Sequence, residues 1–283
     1  MGSEPRKQWQ GTTDGTPWMQ RALVMMYRYL PLRVLYAVMA LVVPFYMIFN
    51  RVGYKAQRDF FRQRMGYGRW RTLWSIYRNH FLFGQVVLDR FAAFAGKRFR
   101  FVVDGQELYD QLASDDKGFV FISAHVGCYE LAGLLLNSKE KIINALAYGG
   151  ESATVMAGRN RLFEGRKIRM VPVVDGMSHL FVLNSALDRG EIVSMPADRM
   201  LGSTKYVSCD FFGTTVHFPK GPFALANAKD VPLLSVFVMK ESVHTYHAFV
   251  KQVSDQQQFA SELESIVRRY PTQWYNYYDF WKQ

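Results

Sequence analysis

A histidine at the end of an apolar run is the residue in this sequence best suited to chemistry. The run, residues 118–123 (GFVFIS), is rich in β-branched and aromatic side chains, and His125 follows it. An apolar helical pattern begins just after, so His125 is expected at the carboxyl end of a buried strand, where open α/β folds bind their ligands. Because imidazole titrates near neutral pH, His125 can act as a general base.

Glu130 follows His125 by five residues and is the candidate carboxylate for a dyad. Five residues on a regular helix turn by roughly 140°, so the two side chains meet only if His125 lies on the turn and Glu130 on the first turns of the helix. Glu130 would then hold the ring and stabilise the imidazolium. The alternative is a partly buried histidine beside an unrelated surface glutamate.

Two further segments place polar groups where a substrate could bind. Asp198 and Arg199 follow the apolar run EIVSMPA, which is the same topological position as that of His125. The two strand ends are therefore expected to face one cleft, unless the Asp–Arg step is an ordinary turn or surface pair. Lys220 and Gly221 precede a proline and an apolar helical run; free amides at such a helix start suit a developing oxyanion, and an ordinary helix start is the alternative.

Several catalytic signatures are absent from the sequence. It contains no G-x-S-x-G elbow, no Walker A loop, no G-x-G-x-x-G fingerprint and no H-E-x-x-H motif. The two cysteines, Cys128 and Cys209, have no zinc-ligand spacing and favour a reducing compartment. We therefore expect neither a metal nor a bound cofactor. A base without a protein nucleophile indicates direct attack by a hydroxyl or amine of the substrate.

Net charge and an uncharged run indicate an acidic partner and a membrane. The formal charge is +11, and residues 34–49 (VLYAVMALVVPFYMIF) carry no charge. Their helical length, roughly 24 Å, is shorter than the ~30 Å hydrocarbon layer. Three interpretations of this run are open: a helix buried in the protein core, a short or tilted membrane span, or a helix that lies in the membrane–water interface. Attachment from one side is favoured over a full span, with the following basic segment on the cytoplasmic face in either case.

Basic residues form two clusters. The first is a stripe at helical spacing directly after the apolar run, expected to contact lipid phosphates unless it is only a solvated helix face: Arg51, Lys55, Arg58 and Arg62. The second would suit phosphates or an acidic carrier protein, with a solvated loop as the alternative: Arg159, Arg161, Arg166, Lys167 and Arg169.

The texture of the sequence changes near residue 98. Residues 1–97 are predicted to be an N-terminal helical, membrane-associating region, and residues 98–283 an α/β domain. Strands are predicted at 98–103, 117–124, 141–148, 168–174, 191–197 and 232–240, with 243–253 antiparallel to the last. Helices are predicted near 105–115, 128–138, 176–189 and 221–229, and from 254 onward. This alternation predicts a mostly parallel central sheet flanked by helices.

Taken in order, these segments resemble the bacterial lipid A biosynthesis acyltransferases of the lysophospholipid/glycerophosphate acyltransferase superfamily. AHVGCYE is similar to the family's H-x-G-N-W-E motif, with Cys128 and Tyr129 in place of Asn and Trp. FFGTTVHFPKGPFALANAKDVPLL and the closing PTQWYNYYDFW resemble two further family elements. The resemblance covers nearly the whole chain and is weaker before residue 50.

The resemblance implies transfer of a fatty acyl group from an acyl carrier protein or acyl-CoA thioester to a hydroxyl or amine of a lipid A precursor or related bacterial lipid. His125 would deprotonate the acceptor and Glu130 would orient its ring. Arg159 and the Lys220–Gly221 region would stabilise the oxyanion, and Asp198 is carried over as an acid in the cleft. The enzyme would work at the cytoplasmic face of the inner membrane.

Two other functional classes explain less of the sequence. A catalytically silent membrane-peripheral protein explains the apolar run and the charge, but not the histidine at a strand end. A nucleic-acid binder explains only the charge, because the aromatic residues form no RNA-binding signature. A membrane acyltransferase explains all of these features together.

Overall fold

The N-terminal part of the protein is helical. The computed structural model describes residues 25–27, 29–135, 141–147, 167–173, 178–200 and 205–282. Its first elements are α1 (Leu32–Phe49), α2 (Arg51–Asp59), a π-helical turn (Phe60–Arg64) and α3 (Arg69–Phe94). One face of α1 packs against α3, and the buried residues of that contact include Leu32, Leu35 and Phe91.

A seven-stranded sheet with interspersed helices follows. Its strands are β1 (Arg100–Asp104), β2 (Phe119–Ser123), β3 (Ile143–Ala147), β4 (Ile168–Pro172), β5 (Ile192–Pro196), β8 (Leu233–Lys240) and β9 (Thr245–Gln252), and β6 (Tyr206–Asp210) and β7 (Thr215–Pro219) form a separate hairpin. The helices are α4 (Gln106–Ser114), α5 (Ala132–Leu135), α6 (Ser178–Asp188), α7 (Gly221–Lys229) and α8 (Gln256–Arg269).

The strand order is β1-β9-β8-β2-β5-β3-β4. Strands β8, β2, β5, β3 and β4 are parallel to one another. β9 is antiparallel to β8 and parallel to β1. The predicted mostly parallel α/β sheet is confirmed, as is the predicted antiparallel pairing of the segments at 232–240 and 243–253.

Strand β2 lies inside the sheet, and its side chains contribute to a hydrophobic core on each face of the sheet. Val120 and Ile122 belong to the core that also contains residues of α7 and α8, whereas Phe119 and Phe121 pack with Tyr109 of α4. Side chains alternate between the two faces of a strand, so a strand covered on both faces must be apolar at every position. This requirement explains the uninterrupted apolar run before His125.

The hairpin formed by β6 and β7 was not predicted. Its turn contains Phe212 and Gly213, both with positive φ (56° and 68°), and the backbone amide of Gly213 donates to Asp210 Oδ1 at 3.0 Å. A positive φ is uncommon for a phenylalanine, so the apolar FFG sequence gave no turn signal there.

The boundary predicted between residues 97 and 98 lies between α3 and β1, and the division into two regions stays a prediction.

Candidate active site

His125 and Asp198 lie side by side because their strands are neighbours in the same register. Ser123, the last residue of β2, pairs with Pro196, the last residue of β5. Each polar residue lies two positions beyond that pair. The backbone amide of His125 donates to Asp198 Oδ2 at 2.9 Å, and its Nδ1 lies 2.8 Å from Asp198 Oδ1. The two strand ends therefore bring these residues together as expected, and the cleft in front of them stays a prediction.

The charge of Asp198 determines which nitrogen of His125 carries the proton. The carboxylate is 2% exposed, and that burial would raise its pKa, but attraction to His125 and hydrogen bonds from it hold the pKa of Asp198 below its usual value. A carboxylate only accepts hydrogen bonds, so Nδ1 of His125 carries the hydrogen in the neutral ring. Nε2 then keeps its lone pair. With 22% of its side chain exposed, His125 is positioned to accept a proton from a substrate.

Glu130 does not occupy the place expected for it beside Nδ1 of His125. Its Oε1 lies 3.0 Å from Nη1 of Arg90, in helix α3, and both side chains are largely buried. The carboxylate that binds Nδ1 of His125 is that of Asp198. The expected ring-orienting contact is therefore corrected: Asp198 makes it, and Glu130 connects the turn after β2 to α3.

The path of the chain after His125 explains this difference. Gly127 has a φ of 53°, and a Cβ there would lie 2.0 Å from the carbonyl oxygen of Val238. This close approach lets the amide of Cys128 donate to the same oxygen at 2.7 Å. The chain crosses over β8 before a short 3₁₀ turn, Tyr129–Leu131, begins. Glu130 is thereby directed to α3.

The C-terminal segment completes the support of the turn that carries His125, a role the sequence did not reveal. The amide of Gly127 donates to the Gln273 carbonyl at 2.9 Å, and the amide of Tyr275 donates to the His125 carbonyl at 3.1 Å. Val126 and Trp274 form an antiparallel bridge between these contacts. The similarity of PTQWYNYYDFW to a family element was the only signal that this segment had a defined place.

Within the described residues, Arg199, Lys220 and Gly221 make no hydrogen bond with the side chain of His125 or Asp198. Arg199 donates from Nη2 to the Tyr275 carbonyl at 3.0 Å, so it contacts the C-terminal segment. Lys220 and Gly221 are exposed at the start of α7, which confirms the predicted helix start. Arg159 lies outside the residues that the structure describes.

No thiol near the histidine is suited to nucleophilic attack. Burial raises the pKa of the Cys128 thiol well above its usual value, which keeps the group protonated and unreactive. Cys209 lies in the separate β6–β7 hairpin. Within the described residues, no group of three or more His, Cys, Asp or Glu side chains could hold a metal ion.

The family to which the chain belongs follows from its match to a family model. The model of the bacterial lipid A biosynthesis acyltransferase family matches residues 91–283, which is more than half of the chain. The chain belongs to this family. Membership in the bacterial lipid A biosynthesis acyltransferase family makes the protein an enzyme of lipid biosynthesis that uses an acyl donor and a lipid acceptor. The match includes His125 and Asp198 and excludes α1, α2 and most of α3.

Two other comparisons add little. No curated protein matches the chain. The chain is similar to a solved structure, the 1-acyl-sn-glycerophosphate (LPA) acyltransferase PlsC from Thermotoga maritima, at 14% identity over 83% of this chain and 95% of that one, with a TM-score of 0.36. A likeness this distant bears on no residue of the site.

Proposed function

We propose that this family member transfers a fatty acyl group from a thioester, carried by acyl carrier protein or coenzyme A, to a hydroxyl or amine of a lipid A precursor or related bacterial lipid. His125 is the general base and Asp198 its positioning residue. The observation that carries the proposal is the 2.8 Å contact between Nδ1 of His125 and Asp198 at the carboxyl ends of β2 and β5.

The reaction needs one base and no enzyme-bound acyl group. Nε2 of His125 takes the proton from the acceptor hydroxyl as its oxygen attacks the thioester carbonyl carbon. The tetrahedral intermediate collapses with cleavage of the C–S bond, and the thiolate leaves with the proton from the imidazolium. The products are the acylated lipid and a free thiol. Asp198 stabilises the imidazolium between the two proton transfers and keeps the ring in the required tautomer.

The developing oxyanion needs a donor, and the start of α7 is our candidate. Helix α7 packs against β2 and leads into β8, which runs parallel to β2. Its first turn therefore lies toward the edge of the sheet where β2 ends. Lys220 supplies positive charge there, and the backbone amides of Gly221 and Phe223 are the candidate N–H donors, because Pro222 has no N–H and the amide of Ala224 donates to the Lys220 carbonyl at 2.9 Å. Arg159 remains the second candidate.

Helix α1 is our candidate for membrane attachment. It is an 18-residue helix with a mean hydropathy of 2.1, and only 22% of it is buried, which argues against a core helix. One face is held to α3, since Tyr77 OH donates to the Ala40 carbonyl at 3.2 Å and Tyr36 OH donates to Asp89. Because polar contacts fix one face of α1 to α3, we favour a helix that attaches to the membrane from one side over one that spans the bilayer. The basic residues after α1 favour the cytoplasmic face of the inner membrane.

A single substitution tests the proposed base. His125→Ala is expected to abolish acyl transfer above background, a loss of roughly 10²–10⁴-fold or more, because no other group takes the acceptor's proton. The assay follows thiol release and acylated lipid by mass spectrometry, with acyl carrier thioester, acyl-CoA and membrane extract as substrates.

His244→Ala is the matched control, since that histidine is exposed in the turn between β8 and β9. The control is expected to keep full activity, and both variants are expected to stay with membranes. Unchanged turnover in His125→Ala would refute the proposed base.

A further inference from the structure

Two concave surfaces adjoin near the end of α1. The first, the apolar groove, has a volume of about 660 Å³ and is lined mainly by Pro44, Met47, Ile48, Leu73, Trp74 and Tyr77. The second, the basic pocket, has a volume of about 560 Å³, and its lining includes Arg58, Arg62, Arg69 and Trp70. Tyr54 and Leu73 line both, so the two form one continuous surface.

The basic pocket has the charge and the donors to bind an anion. Among the described residues that line it, the one acidic side chain is Asp59, which pairs with Arg58, with Nη2 and Oδ1 2.9 Å apart. Arg62 and Arg69 are exposed and have no carboxylate within 4.0 Å in the described part of the chain. Planar guanidinium groups bind phosphate oxygens in pairs of hydrogen bonds.

Helix α3 adds a second, independent source of positive potential. It begins at Arg69, in the basic pocket, and runs for 26 residues without an acidic residue in its first turn. The first amides of a helix have no acceptor within the helix, and the helix dipole makes that end positive. Arginine side chains and a helix start together make a phosphate group the best-fitting anion.

The apolar groove beside the basic pocket favours a lipid as the source of the phosphate. Large apolar side chains that line it are exposed, among them Ile48 at 66%, Trp74 at 62% and Leu73 at 43%. Trp70 in the basic pocket is 78% exposed, and tryptophan is enriched at the depth of lipid headgroups. A free phosphate would leave the groove empty, and an acidic protein or nucleic acid would not fill an apolar slot beside its phosphate or carboxylate site.

We propose that the groove and the pocket together bind one anionic glycerophospholipid of the surrounding leaflet. Its phosphate lies in the basic pocket between Arg62 and Arg69, and an acyl chain lies in the apolar groove along Leu73 and Trp74. The residues of this site precede the segment that matches the family, 91–283, and none of them takes part in the proposed acyl transfer.

An occupied site would steady the face of the molecule next to the catalytic turn. The π-helical turn that carries Arg62 also carries Phe60, whose ring packs on Trp274 with centroids 4.8 Å apart. Trp274 in turn bridges to Val126, the neighbour of His125. One aromatic layer therefore separates the lipid site from the catalytic turn.

The test counts lipids retained by the full chain. Native mass spectrometry from non-ionic detergent micelles, with dioleoyl phosphatidylglycerol as probe, is expected to show one tightly held lipid per chain and at least tenfold weaker retention of dioleoyl phosphatidylcholine. The double variant Arg62→Gln/Arg69→Gln is expected to weaken phosphatidylglycerol binding at least tenfold. Trp74→Ser should weaken binding of both lipids, because it removes part of the groove.

The matched control is Arg78→Gln/Arg98→Gln, which removes the same charge from exposed positions that line neither surface. It should keep binding within about twofold. Equal losses in the two double variants would overturn the proposal, because a diffuse basic surface would then explain the binding. Equal retention of the two lipids by the unmodified protein would also overturn it. His125→Ala is expected to bind phosphatidylglycerol normally, so the result is independent of the catalytic proposal.

Discussion

At the scale of single residues, the hydrogen bond between His125 and Asp198 joins positions 73 apart in the chain. Both oxygens of Asp198 are used, one on the ring and one on the backbone amide of the histidine. The carboxylate is therefore held at two points, and one of them orients the ring. Since the pKa of Asp198 is held low, the pair stays charge-complementary whenever the histidine is protonated.

Asp198→Asn tests the positioning role. An amide can orient the ring in the wrong tautomer and no longer stabilises the imidazolium, so we expect kcat to fall roughly 10²–10⁴-fold. The acid limb of the pH–rate profile should move to lower pH, because the protonated ring loses a neighbouring negative charge. A purely structural role would lower the amount of folded enzyme without moving that limb.

Glu130→Gln is the comparison for that experiment. It removes the carboxylate that contacts Arg90, so the acid limb is expected to stay where it is in the unmodified enzyme. A shift of the limb in Glu130→Gln, with none in Asp198→Asn, would return the ring-orienting role to Glu130.

The sequence could identify both carboxylates but could not choose between them. Short spacing favoured Glu130, since residues five apart meet if a turn intervenes. The choice depended on the neighbour of β2 in the sheet, and strand order is a long-range property that apolar patterns do not encode. It also depended on Gly127, whose positive φ directs the chain across β8 and Glu130 toward α3.

At the scale of elements, the strands of the sheet were predictable for a physical reason. The clearest of them, β2 and β8, are apolar runs that are buried almost throughout, because the sheet is covered on both faces there. The β6–β7 hairpin was missed because polar residues interrupt both of its strands, YVSCD and TVHFP, and because its turn relies on Phe212 in an uncommon conformation. The C-terminal segment was missed as a catalytic support because its contacts are with backbone groups.

A buried polar cluster joins helix α1 to the sheet. Lys240 of β8 donates to Asp89 of α3 at 2.5 Å, and hydroxyl groups of Tyr36 and Tyr246 donate to the same carboxylate. Burial raises the pKa of Asp89 and lowers that of Lys240, while their mutual attraction opposes both changes. Desolvating two charges is expensive, so this pair specifies where α1 docks more than it stabilises the fold.

A double-mutant cycle tests this view of the cluster. Lys240→Met alone leaves a buried carboxylate without its cation and is expected to lower the free energy of unfolding by about 3–5 kcal/mol. Asp89→Leu/Lys240→Met should be less destabilised than Lys240→Met, because no charge remains buried. The measurement is denaturant unfolding in detergent. If the double variant lost as much as both single variants together, the two residues would be acting independently.

At the scale of the whole molecule, the family match and the features proposed to contact the membrane occupy different parts of the chain. The matched residues contain the sheet and the proposed base, whereas α1 and the residues that line the apolar groove and the basic pocket precede all of them. The contacts of Gln57 and Asn79 with the Trp274 carbonyl, at 3.3 and 2.8 Å, connect these two parts. Hydrogen bonds from side chains to the backbone therefore join the region proposed to contact the membrane to the catalytic region, and surface substitutions can still separate the two functions.

Substituting the exposed apolar side chains of α1 should release the enzyme without inactivating it. In the triple variant Leu41→Ser/Phe45→Ser/Phe49→Ser, a loss of about 1 kcal/mol per side chain lowers membrane partitioning roughly a hundredfold, since those side chains face away from α3. Vesicle sedimentation measures the partitioning. Thiol release with a detergent-solubilised acceptor should stay within about twofold, because the contacts of His125 and Asp198 are untouched.

The control triple variant Val102→Ser/Phe181→Ser/Tyr206→Ser removes exposed apolar side chains from the α/β part and should stay with the vesicles. If both variants partition alike, α1 is not the attachment site; if alkaline carbonate fails to extract the unmodified enzyme, α1 spans the bilayer and one-sided attachment is wrong.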